Sequence, residues 1–266
     1  MERSLQFRGK SISYDIAGAG NPVVLLHGFI ESKAIWTKFT EVLSLDFLVI
    51  AIDLPGHGES EVCASVHDMS LMADSVKAVL DENAVTNALI VGHSMGGYVA
   101  LELGSSYPER VKGIVLFHSQ AAPDTDEAKR NRDRTIKIVK QNRHGFIKQF
   151  IPDLFDPSHV SEYQEGIKSL LEIASEMSPE GIMAAISGMR DRKGGLELLS
   201  SASFPFLFIA GKQDSRIPFK LVLEQAAIPE HSEALILADV GHMGYIEAPA
   251  ITLQAVRHFA QRCFGG

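Results

Sequence analysis

Cysteine is scarce in this chain. Cys63 and Cys263 are the only two in 266 residues, too few for a disulfide framework. They lie far apart in sequence, and the expectation is two free thiols in a reducing compartment. No N-x-S/T triplet occurs, which agrees with a cytoplasmic location. No apolar run approaches the ~20 residues of a membrane-spanning helix. Residues Met1 to Arg8 lack the apolar stretch of a signal peptide. Basic residues are outnumbered, 25 to 33, and no basic run stands out, so nucleic acid is not an expected partner. Neither H-E-x-x-H nor a clustered Cys/His spacing is present, so no metal and no other cofactor is expected. Internal repeats and low-complexity segments are also missing. What remains is ordinary globular material, 45% hydrophobic and 22% charged. The length suits one large domain, or one domain with a sizeable insert.

The most informative segment is Gly92-His93-Ser94-Met95-Gly96, a G-x-S-x-G pattern. Ala88-Leu89-Ile90-Val91 precedes it and reads as a buried strand; Gly97 to Leu103 follows it and reads as a helix. A sharp strand-to-helix turn puts its middle residue on an exposed bend, and the flanking glycines answer the crowding of the backbone there. Ser94 is therefore the candidate nucleophile. Met95 opens the helix, so its backbone N–H is free to face an oxyanion.

Elsewhere, apolar strands alternate with amphipathic stretches. Leu5-Gln6-Phe7, a turn at Gly9-Lys10 and Ile12 to Ile16 predict a hairpin. Strands are expected at Val23–Leu26, Phe47–Ile52, Leu89–Val91, Ile114–Phe117, Phe206–Ala210 and Ala234–Leu237. They are nearly continuous in apolar character, as parallel strands covered on both faces are. Helices are expected near 33–44, 70–82, 96–106, 218–227 and 249–262, with Pro218 and Pro249 in first turns.

From 121 to 203 the rhythm breaks into helices without a strand. Ser178-Pro179-Glu180 carries a helix start. We read this interval as a helical lid inserted into an α/β core formed by 1–120 and 204–266. Phe146, Phe150, Met183 and Met189 are candidate pocket-lining residues within it, joined by Trp36 and His118 from the core. Packing is the alternative for each. Arg190 and Arg192 read as a solvated helix end, or else as a carboxylate clamp.

A serine hydroxyl needs a base, and the base needs an orienting group. His242 follows an apolar strand in the loop Gly241-His242-Met243-Gly244. Asp214 follows Phe206 to Gly211, with room for one helix and one strand before His242. Serine, acid and histidine then run in the order Ser94, Asp214, His242. Leu25-Leu26-His27-Gly28-Phe29 is a strand running into His-Gly, and the Phe29 N–H is the candidate second oxyanion donor.

These segments, together with Asp53-Leu54-Pro55-Gly56-His57-Gly58-Glu59-Ser60 and Ala210-Gly211-Lys212-Gln213-Asp214, resemble the α/β-hydrolase fold superfamily in its lid-bearing, esterase-like form. The resemblance implies a mostly parallel eight-stranded sheet covered by helices on both faces, with the lid after strand 6. It implies that Asp53 to Ser60 form a structural loop in which His57 has no catalytic part. It also sets Ser94 apart from the aspartate-nucleophile dehalogenases and epoxide hydrolases. The expected substrate is a small, largely apolar ester, thioester or lactone. The alternatives are a carbon–carbon bond hydrolase or lyase with the same triad, and a slow-turnover, receptor-like binding protein. Fold alone does not choose among them.

Overall fold

Alternation at the N-terminus folds back on itself. The computed structural model describes residues 1–265. In it β1 (Glu2–Phe7) and β2 (Lys10–Ala17) pair antiparallel with Phe7 opposite Lys10. The turn residues are Arg8 and Gly9, both at positive φ (52° and 76°). That is the two-residue geometry that matches strand twist, and it puts the turn one residue earlier than the sequence suggested.

The chain then enters the parallel core. β3 (Pro22–Leu26) is followed by α1 (Thr37–Leu43), β4 (Leu48–Ile52) and α2 (Met69–Glu82). Next come β5 (Ala88–His93), α3 (Met95–Ser106) and β6 (Val111–Phe117). The last strand starts earlier than the apolar run predicted, because exposed Lys112 interrupts the run without ending the pairing. After an insertion, β7 (Phe206–Gly211) and β8 (Ser232–Leu237) complete an eight-stranded sheet of order β1-β2-β4-β3-β5-β6-β7-β8. β1 and β2 are the antiparallel members; β4, β3, β5, β6, β7 and β8 run parallel. Every residue of β5 and of β7 is buried, as strands covered on both faces require.

Four helices occupy the insertion: α4 (Asp126–Phe150), α5 (Gln164–Glu176), α6 (Pro179–Arg190) and α7 (Leu196–Ser201). α4 starts on Thr125, whose hydroxyl accepts from Ala128 N, with Asp126 and Glu127 in its first turn. It kinks at Asn142 (φ −153°, ψ 74°), where the side-chain carbonyl accepts from Gly145 N at 2.9 Å. Asn142 thereby caps a fresh helical start, which puts Phe146 and Phe150 four residues apart on one face. α6 is capped by Ser178, which accepts from Gly181 N. The C-terminal part adds α8 (Phe219–Ala226), α9 (Gly244–Glu247) and α10 (Pro249–Phe264). Pro218 is the cap of α8 and lies just outside its first turn. Cys63 and Cys263 are both free thiols. No helix among the described residues is long and apolar enough to cross a membrane.

Candidate active site

Backbone strain gathers beyond the C-terminal ends of β3, β5 and β6, directly after β5 and β6 and four residues after β3. Ile30, Ser94 and His118 all have positive φ (55°, 49° and 46°), a conformation costly for residues with a Cβ. Three of the five non-glycine residues at positive φ among the described residues thus fall in the loops that follow adjacent strands. Ser94 is held there by its N–H on Phe117 O at 2.9 Å and by Ser119 Oγ donating to its carbonyl at 2.7 Å. A Cβ on Gly96 would stand 2.5 Å from Leu26 O and 2.7 Å from His27 O. The elbow therefore presses against the end of β3, and glycine is required at that contact. Met95 is the first residue of α3, and neither its N–H nor that of Phe29 has a protein acceptor among the described residues.

Asp214 and His242 come together as neighbours. His242 Nδ1 lies 2.8 Å from Asp214 Oδ2, and both side chains are almost wholly buried. Asp214 Oδ1 accepts from Arg216 N at 2.7 Å and Ile217 N at 2.9 Å. Burial alone would raise the carboxyl pKa, but His242, His118 and their hydrogen bonds hold it well below the ordinary range. His242 Nε2 makes no hydrogen bond within the described residues, and His242 and Ser94 line the same cavity of about 650 Å³. The histidine loop is itself fastened: His242 N donates to Leu154 O at 2.7 Å. Glu247 takes the N–H groups of Gly241, Met243 and Asp156, each at 2.9 Å.

Two further groups were not visible in the sequence. Glu31 is buried beside the elbow. It accepts from His93 Nδ1 at 2.9 Å, Gly28 N at 2.5 Å and Tyr245 OH at 3.0 Å. His93 Nε2 in turn donates to the His242 carbonyl at 2.9 Å. Both nitrogens of His93 face acceptors, an arrangement that favours the doubly protonated, charged ring. Burial pulls its pKa down, and Glu31 with the His242 carbonyl more than offsets this, so it sits above the ordinary histidine value. Glu31 is driven the other way: burial raises it, His93 and the Gly28 N–H lower it further, and the net shift is downward. One ion pair thus ties the loop of Phe29, the elbow and the loop of His242 together. No motif announces it, since the partners are 62 residues apart.

The proposed pocket residues divide. Phe146, Phe150 and Met189 line the cavity; Phe29 does so as well, with ring centroids 6.4 Å from Phe146 and 5.8 Å from Phe150. Trp36, His118 and Met183 do not. Trp36 is wholly buried against Phe39, Phe117 and Tyr245, so it is a core residue. Met183 packs half-buried against the core instead. His118 reaches Asp214 rather than the cavity: its Nδ1 lies 3.2 Å from Oδ2. Burial pushes its pKa down to about 4 despite that carboxylate, so it is neutral and must donate from Nδ1. His118, Asp214 and His242 bring three possible metal-ligand atoms within 4.8 Å of one another. The facing nitrogens carry the hydrogens given to Asp214, so this donor set does not suit a metal ion. The arginines also divide. Arg190 is a surface group paired with Asp133 and Asp191. Arg192, expected in solvent, is buried: Asp124 neutralises it at 2.5 Å and its guanidinium lies 4.1 Å over the Tyr98 ring. Asp53 to Ser60 form a closed loop in which Asp53 Oδ1 accepts from Lys33 N at 2.6 Å and Oδ2 from Glu59 N at 3.0 Å. His57 is buried there with Nδ1 on Pro55 O.

This sheet order, with a serine on a strained bend after β5 and an Asp–His pair beyond β7 and β8, is the arrangement of the α/β hydrolases. The chain belongs to that family: the sequence profile of the alpha/beta hydrolase fold matches residues 21–249. Within it the chain is esterase-like. It is similar in structure to a thermophilic esterase from Thermogutta terrifontis, solved with malate bound, at 31% identity, TM-score 0.93 and 99% of both chains. It is also similar to Est816, an N-acyl homoserine lactone degrading enzyme, at 26% identity and TM-score 0.83, over 97% of this chain and 100% of that one. Among curated proteins it is 29% identical to the dihydrolipoyllysine-residue acetyltransferase component of the acetoin cleaving system of Pseudomonas putida. That match covers 94% of this chain and 66% of the relative, so the chain spans about two thirds of that protein's length.

Proposed function

We infer that this protein is a serine hydrolase that cleaves a small, largely apolar ester, thioester or lactone through an acyl-enzyme on Ser94. The observation that carries the reading is that Ser94 and His242 line one cavity while His242 Nδ1 is held on Asp214. Ser94 Oγ attacks the carbonyl carbon and its proton passes to His242 Nε2. The oxyanion is received by the free N–H groups of Phe29 and Met95. Collapse expels the alcohol or thiol, which takes the proton from Nε2. Water then gives a proton to His242 and attacks the acyl carbon; the bond to Ser94 Oγ breaks as Nε2 returns that proton to Oγ, and the free acid leaves. Asp214 keeps the proton-bearing nitrogen of His242 turned away from Ser94 and stabilises the charged ring. Residues 121–203 act as a lid on the core of 1–120 and 204–266, supplying Phe146, Phe150 and Met189 as an apolar wall. The esterase and lactone-degrading relatives support this substrate range.

The test joins a covalent probe to a substrate series. A fluorophosphonate should modify Ser94 alone, as read by mass spectrometry, and Ser94→Ala should abolish both labelling and p-nitrophenyl ester hydrolysis. Short acyl chains should turn over fastest. Modification elsewhere, or ligand-induced thermal stabilisation without turnover, would overturn the reading in favour of other chemistry or a receptor-like role.

A further inference from the structure

The cavity wall carries three arginines, Arg132, Arg192 and Arg216, against two carboxylates, Glu31 and Asp124. Glu31 is committed to His93 and Tyr245. Asp124 is divided, with Oδ1 on Arg192 Nη1 and Oδ2 on Arg132 Nε at 3.0 Å. Both terminal nitrogens of Arg192 are then engaged, because Nη1 also donates to Met189 O at 2.9 Å and Nη2 to Ala122 O at 3.0 Å, and only its buried Nε lacks a partner. The two terminal nitrogens of Arg132 and the whole guanidinium of Arg216 have no partner among the described residues. Arg216 lies 4.6 Å over the Phe150 ring. Asp153 and Asp214 act on its charge without forming an ion pair, and Arg132 acts on it as a like charge. A chain of net charge −8 has thus turned uncompensated positive charge onto its candidate active cavity.

We propose that Arg216 and Arg132 form a carboxylate-binding subsite, so that the ester, thioester or lactone cleaved at Ser94 carries a free carboxylate beyond an apolar spacer. This rests on the hydrolase reading above. Guanidinium groups offer paired N–H donors that match a carboxylate, and two of them facing one cavity favour an anion over a neutral group. The register is fixed by the backbone: Arg216 N donates to Asp214 Oδ1 at 2.7 Å, and Asp214 Oδ2 holds His242. The anion would therefore be bound on a segment fastened to the acid–histidine pair, by a guanidinium that lies over Phe150. Phe29 and Phe150 line the same cavity with ring centroids 5.8 Å apart and suit the methylenes of the spacer. Arg216 is exposed, which gives the anion an entrance and makes either arginine alone a weak site.

The experiment compares mono-p-nitrophenyl glutarate with p-nitrophenyl butyrate and, separately, titrates glutarate by calorimetry. The wild type should prefer the glutarate ester in kcat/KM by about tenfold or more, the worth of a charge-assisted contact. Arg216→Gln and Arg132→Gln should each collapse that ratio and weaken glutarate binding, Arg216→Lys should restore part of it, and added salt should erode it. Hydrolysis of both esters with a ratio unmoved in either Gln variant would overturn the subsite and leave the hydrolase reading standing. Glutarate binding that depends on Arg216, with no ester cleaved, would support the subsite and overturn the hydrolase reading.

Discussion

His118 donates its Nδ1 hydrogen to Asp214 Oδ2 at 3.2 Å, the same oxygen that His242 occupies at 2.8 Å. One carboxylate oxygen therefore serves two imidazoles. The second lowers the basicity of Asp214 and fixes its rotation, so in the proposed mechanism His118 positions the acid without touching substrate. Asparagine places an amide nitrogen at the same bond distance from Cα and tolerates the φ of 46°. The prediction is that His118→Asn keeps most of kcat, while His118→Leu loses about tenfold or more with KM little changed, because a hydrogen bond to a charged acceptor contributes roughly 1.5–3 kcal/mol. Leucine should also lower Tm through backbone strain. Equal kcat in the two variants would remove His118 from the mechanism.

The Glu31–His93 ion pair gives a second prediction, read in stability against pH. The His93 pKa is raised on folding, so its contribution is complete below the unfolded value of ~6.5 and is lost as pH climbs through the folded value. The Glu31 pKa is lowered, so its contribution is complete above its unfolded value of ~4.3 and is lost as pH falls through the folded one. The pair is worth most in the weakly acidic window between them. Breaking a buried pair by removing one charge costs about 3–5 kcal/mol. Glu31→Gln should therefore lower Tm most near pH 6 and visibly less near pH 9, measured by calorimetric scans at each pH. A Tm gap that stays constant from pH 6 to pH 9 would mean that His93 is not charged in the fold.

How much of this was readable beforehand follows from the range of each interaction. β5 and β7 announce themselves because strands covered on both faces need unbroken apolar sequence. Ser94 and Asp214 stand out as candidates because each follows such a strand, and His242 because its loop follows the apolar end of β8, Ala234 to Leu237, although that edge strand is only partly buried. The insertion showed its helices through caps such as Ser178, but the kink at Asn142 depends on a side-chain bond to Gly145 that no periodicity carries. Of the two readings the sequence offers for Arg192, a solvated helix end and a carboxylate clamp, burial on Asp124 rules out the first, and that partner is not legible because it lies 68 residues away. Trp36 was placed at the pocket because it follows β3, yet Phe39, Phe117 and Tyr245 enclose it in the core. Glu31 was missed for the same reason as Arg192: its role exists only once three separate loops have met.

The elbow supplies the last prediction, through Gly96. A methyl there would meet the carbonyl oxygens of Leu26 and His27, at 2.5 and 2.7 Å, which are backbone atoms at the end of a central strand. Neither can give way as a flexible side chain would. Relief must come from moving the start of α3 away from β3, and that motion separates the Met95 N–H from the Phe29 N–H. Loss of one oxyanion donor costs about 10²–10³ in kcat, and overpacking a tight contact costs about 1–3 kcal/mol of stability. Gly96→Ala should therefore lower kcat for p-nitrophenyl esters by about a hundredfold or more, with a lower Tm, and leave Ser94 present but slow to react with a fluorophosphonate. Slow labelling separates a displaced oxyanion pair from a missing nucleophile, since the probe's phosphoryl oxygen needs the same two donors. Wild-type kcat together with an unchanged Tm would show that α3 and β3 are not in the close contact on which the proposed oxyanion site depends.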